Sequence, residues 1–89
     1  SMNTLNPTQV QRFRKLFPEL DEDLAVVVLL YATGATQSEV AEILGLSSRR
    51  PIERMLKEVA KQMALSSVPT IRVVVQNRLY FALLDFLAR

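Results

Sequence analysis

Nine consecutive apolar residues, Leu24 to Ala32, constrain this chain more than any other feature. Periodicity alone leaves such a run open to a buried strand or a buried helix. Its borders favour a helix. Asp21 is an N-cap residue type, Glu22 and Asp23 suit the positive end of a helix dipole, and Gly34 supplies a stop that tolerates positive φ. Capping and dipole compensation account for this acidic triplet without a bound cation. A helix over 22–33 that is apolar all round must be covered all round, which puts it at the centre of the fold. The run is far short of the ~20 residues that cross a bilayer.

The remaining punctuation is sparse. Two glycines and four prolines in 89 residues suit a few helices joined by short turns rather than many strands. Asn6-Pro7 marks a start, and Val10, Phe13, Leu16 and Phe17 repeat at helical spacing until Pro18, predicting a helix over 7–17 that carries Arg12, Arg14 and Lys15. Thr36-Gln37-Ser38-Glu39 fits a capping box, followed by a short helix with Val40, Ala41, Ile43 and Leu44 on its inner face and Gly45 at its end. Ser47 or Ser48 is expected to cap the next helix, which tolerates Pro51 in its first turn and runs to about Leu65. After Ser66-Ser67-Val68-Pro69 comes a last helix over 70–88. The expected fold is an all-α bundle of four to five helices. It is a single domain over 1–89, with an N-terminal helix, a helix-turn-helix core over 22–65 and a long apolar C-terminal helix.

Composition narrows the chemistry. Cys and His are both absent, which removes Cys/His zinc sites, disulfides, thiol nucleophiles and imidazole general bases. No residue cluster supports catalysis, so neither an enzyme nor a metal or cofactor is expected. The start, Ser1-Met2-Asn3, has no basic segment leading into an apolar one, so a cytoplasmic protein without membrane association is expected.

Charge is unevenly distributed. Residues 21–46 hold five acids and no base, whereas 47–89 hold eight basic residues against Glu53, Glu58 and Asp85. At ~100° per residue, Arg50, Arg54, Lys57 and Lys61 fall within ~60° of one another, with Ile52, Leu56, Val59 and Met63 nearly opposite. Glu53 and Glu58 flank this stripe and are placed to pair with Arg54 or Lys57. A cationic stripe on a lone helix is usually a solvated face. Here a short capped helix and a glycine turn precede it, the helix-turn-helix arrangement whose second helix enters the major groove of DNA.

Leu20, Val27-Val28, Ala32, Gly34, Glu39-Val40-Ala41 and Leu44-Gly45-Leu46-Ser47, followed by Ile52, Leu56, Val59 and Met63, resemble the LuxR/GerE-type helix-turn-helix of bacterial transcription regulators. The resemblance covers roughly residues 20–75. Asp21 stands where that family has a capping Thr, and Arg50-Pro51 where it usually has Thr-Val. The resemblance implies double-stranded DNA as partner, with Ser48, Arg49, Arg50, Glu53, Arg54 and Lys57 facing the groove. Thr36, Gln37 and Ser38 are expected to hold phosphates, and Lys61 to lie at the rim.

The last helix has apolar residues on several sides, more than a small core can cover. Its surplus is expected to form a homodimer contact through Val74, Tyr80, Phe81, Leu84 and Leu87, as the resemblance also implies. The expected function is a sequence-specific transcriptional regulator. The alternative is a helical interaction module that contacts RNA polymerase or another regulator without binding DNA itself. Such a module shares the apolar last helix but has no need of four cations on one stripe.

Overall fold

The computed structural model describes residues 5–89, so the Ser1-Met2-Asn3 start lies outside the described residues. The chain folds as α1 (Pro7–Leu16), α2 (Glu22–Ala32), α3 (Gln37–Ile43), α4 (Arg50–Gln62) and α5 (Thr70–Leu87), with no strand among the described residues.

Local chemistry sets most helix starts. Asn6 accepts a hydrogen bond from the Thr8 amide at 2.8 Å, with Pro7 in the first turn of α1. Asp21 accepts from the Leu24 amide at 2.9 Å and caps α2. The capping box of α3 is complete. Thr36 Oγ1 accepts from the Glu39 amide at 3.1 Å, and the Glu39 carboxylate accepts from the Thr36 amide at 2.8 Å.

Three helix ends close in the same way. The Ala35 amide donates to Leu30 O, the Leu46 amide to Ala41 O and the Leu65 amide to Ala60 O, each paired with a bond from the preceding amide to the carbonyl three residues before it, which is the Schellman arrangement. Each needs a positive φ just beyond the helix, and Gly34 (+120°) and Gly45 (+73°) provide two of them. Ala64 provides the third at +57°. With no glycine to announce it, this end falls earlier than the sequence suggests: α4 stops at Gln62, not near Leu65.

Helix α2 packs against all four other helices, as a segment apolar on every side requires. Ala25, Val27, Val28, Leu30, Tyr31 and Ala32 are buried, and Leu24, Val26 and Leu29 are half-buried. Around it lie Phe17 and Leu20, Val40 of α3, Ile52, Leu56 and Val59 of α4, and Ile71 and Val75 of α5, all fully enclosed. Truncating a side chain as enclosed as Leu56 to alanine costs about 2–5 kcal/mol.

Two expectations are corrected. The first concerns the start of α4, where neither Ser47 nor Ser48 acts as its N-cap. That position belongs to Arg49, which has helical dihedrals and no capping side chain, and Ser48 Oγ accepts only a long 3.4 Å bond from the Arg50 amide. The second concerns the last helix, which is not apolar along its length. Its first half carries Arg72, Gln76 and Arg78, each spent on carbonyls at the ends of other helices. Arg72 donates to Tyr31 O and Ala35 O at 3.0 and 2.9 Å, Gln76 to Ala32 O at 3.1 Å, and Arg78 to Leu16 O at 2.8 Å. Arg78 also pairs with Glu19 at 3.1 Å and covers the Phe17 ring. The last carbonyls of a helix have no partner within it, and α5 supplies side chains that satisfy those of α1 and α2.

Candidate nucleic-acid interface

Helices α3 and α4 are joined by the turn Leu44 to Arg49, which Gly45 makes possible. Val40 and Ala41 anchor α3, while Ile52, Leu56 and Val59 (each 0 % exposed) fix which side of α4 faces inward. Burial of that side determines the other. Arg50, Arg54, Lys57 and Lys61 are all exposed, spread over about 16 Å of helix at 1.5 Å per residue.

None of these four side chains makes an ion pair among the described residues. The two flanking acids are engaged elsewhere. Glu53 sits 3.9 Å from Arg49, one turn back, and Glu58 accepts from Gln62 at 3.3 Å. The expected pairing of these acids with Arg54 or Lys57 does not form, so the stripe keeps its charge. Arg50, Arg54 and Lys57 border one open depression with Glu53 between them.

A second hollow brings the remaining sequence candidates together. Thr36, Gln37 and Ser38 at the start of α3 share its wall with Arg49 and Glu53 of the α4 region. Ser48 and Arg49 line the neighbouring groove along the turn, opposite Ser38 and Glu42. The capping box consumes the Thr36 and Glu39 amides, so the amides of Gln37 and Ser38 are the free donors at this end. Hydrogen bonds from the Thr36 backbone and then from its side chain hold the Glu39 carboxyl below its ordinary pKa of 4.5. A carboxylate at this place opposes an incoming phosphate. The electrostatics therefore favour the α4 stripe over the α3 start as the principal anion contact.

Sequence reasoning missed Arg72, which reaches from α5 into the same hollow while holding the α2–α3 corner. The available signal was the end of α2 at Gly34, which leaves carbonyls in need of donors.

No protein-family model, curated protein or solved structure matches this chain.

The residues expected to form an oligomer contact lie far from the stripe in sequence. Tyr80, Phe81, Leu84 and Leu87 are 60, 62, 55 and 67 % exposed, and Val74 is half-buried. No residue of α5 beyond Val75 is buried. Among the described residues, no helix is long and apolar enough to cross a membrane.

Proposed function

We propose that this chain is a sequence-specific DNA-binding transcriptional regulator of bacterial type that places α4 in the major groove and acts as a homodimer. The observation that carries the reading is the set of four exposed, unpaired cations on α4. They lie opposite a fully enclosed face and directly follow a capped short helix and a glycine turn. The resemblance of residues 20–75 to LuxR/GerE-type domains supports it.

In this reading Arg49, Arg50, Arg54 and Lys57 meet bases and phosphates, with Ser48 and Glu53 beside them in the groove. The Gln37 and Ser38 amides and the Thr36 hydroxyl meet phosphate, and Lys61 lies at the rim. Two copies related by a two-fold axis would read a pseudo-palindrome with half-sites ~34 Å apart. The work is cytoplasmic and needs neither a cofactor nor a reaction. If each stripe cation neutralises one phosphate, each protomer contributes about −3.6 to the slope of log K against log salt, at ~0.9 per contact.

The exposed apolar end of α5 favours a second reading, an interaction module that docks on RNA polymerase or another regulator without touching DNA. Charge reversal separates the two. Under the DNA reading, Arg54→Glu with Lys57→Glu abolishes duplex binding and leaves the oligomer intact. Under the second reading, those changes leave partner binding unaltered.

A further inference from the structure

The outward side of α5 carries a heptad seam. Val73, Asn77, Tyr80, Leu84 and Leu87 are spaced 4, 3, 4 and 3 residues apart, and at ~100° per residue they fall within ~80° of one another. All five are exposed, the four large apolar ones by 55–67 %. The spacing puts Val73, Tyr80 and Leu87 at d positions and Asn77 and Leu84 at a. Phe81 and Leu83 flank the seam and are also exposed.

Asn77 is the one polar residue in the seam, and it is not occupied elsewhere. Its neighbours Arg72, Gln76 and Arg78 all serve the carbonyls of α1 and α2, whereas the Asn77 amide has no side-chain hydrogen bond among the described residues. A single asparagine at an a position of a helix pair weakens the pair but fixes its register and number of strands.

We propose that Asn77 sets the orientation of a parallel, in-register contact between the α5 helices of two copies of this chain. The inference rests on the homodimer part of the reading above. In a parallel pair the two Asn77 amides meet, and each donates to and accepts from the other. In an antiparallel pair centred on Tyr80, Asn77 instead faces the Leu83–Leu84 level of its partner and buries an amide without a hydrogen bond. At 150–250 Å² for each aromatic side chain, Tyr80 and Phe81 with the exposed leucines offer several hundred Å², the order of the ~800 Å² each partner contributes to a stable dimer.

The test uses the full chain, which has no cysteine of its own. The mass of wild type is measured by light scattering at about 100 µM, and cysteines are then introduced singly at Val73 and Leu87, the two variants being oxidised each alone and as an equal mixture. A parallel pair brings the d positions at 87 together, so Leu87→Cys oxidises to a disulfide-linked dimer. An antiparallel pair holds those positions roughly 20 Å apart and links Val73→Cys of one copy to Leu87→Cys of the other. The expected result is a dimer linked 87 to 87. Asn77→Leu tightens association by about ten-fold or more and mixes the linkages or enlarges the oligomer. A dimer linked 73 to 87, or an Asn77→Leu variant unchanged in strength and linkage, overturns the role of Asn77 and leaves the homodimer standing. A wild-type monomer overturns both.

Discussion

The guanidinium of Arg72 lies 3.9 Å from the centre of the Tyr31 ring and donates to the Tyr31 carbonyl at 3.0 Å, while its other arm reaches Ala35 O at 2.9 Å. One side chain of α5 thus holds the corner where α2 ends and α3 begins. Without it Ala35 O would lose this donor and Tyr31 O would keep only the Gly34 amide, just where Thr36 starts α3.

Arg72→Met is expected to lower stability by about 2 kcal/mol, combining charged hydrogen bonds with a partly exposed cation–π contact. Arg72→Lys keeps the charge but loses the fork that spans two carbonyls, so it should recover only part of this loss. Urea unfolding of the three proteins, followed by circular dichroism, measures both effects.

Ala64 holds φ at +57° to close α4, a conformation that costs a residue with a Cβ about 1 kcal/mol or more relative to glycine. Ala64→Gly should therefore stabilise the protein by about 0.5–1 kcal/mol, even though it removes a methyl group and loosens the unfolded chain. Gly34→Ala should act in the opposite sense. A Cβ there would meet nothing within 4 Å, so the strain would come from its φ of +120° alone. Thermal midpoints of the two variants check the signs.

The difference between Gly34 and Ala64 also marks what could be read in the sequence. Helix starts were legible because Asn6, Asp21 and the Thr36–Glu39 pair act on amides two or three residues away. The central place of α2 and the inward face of α4 followed from apolar patterning. The end of α4 was not legible, because an alanine there performs a role usually announced by glycine. The start of α4 misled for a related reason: two serines were available, and the chain uses neither as N-cap. The polar residues of α5 looked scattered because their partners lie 37 to 62 residues away, on α1, α2 and the α2–α3 corner. The α4 stripe was legible as a pattern. Its freedom from ion pairs was not, since the sequence equally allowed Glu53 and Glu58 to neutralise it.

The capping box predicts a pH dependence. Glu39 has its folded pKa below the ordinary value of 4.5, because Thr36 donates hydrogen bonds to the charged form. A carboxyl lowered in this way contributes stability above its unfolded pKa and loses it as pH falls through the folded one. The difference in thermal midpoint between wild type and Glu39→Ala should thus be full at neutral pH and shrink below about pH 4.5. Thr36→Ala, which removes the cap itself, should cost about 1 kcal/mol at neutral pH.

The central claim is that the stripe Arg50, Arg54, Lys57 and Lys61 meets a nucleic-acid backbone. Fluorescence anisotropy with a random-sequence DNA duplex at 50 and 200 mM salt tests it most directly. Four phosphate contacts per protomer predict roughly a hundred-fold weakening between the two salt concentrations for each protomer engaged. Arg54→Glu with Lys57→Glu should remove the binding while the circular dichroism spectrum stays that of the folded protein. A folded wild type that does not bind at 50 mM salt, or whose binding ignores both salt and charge reversal, would contradict the account.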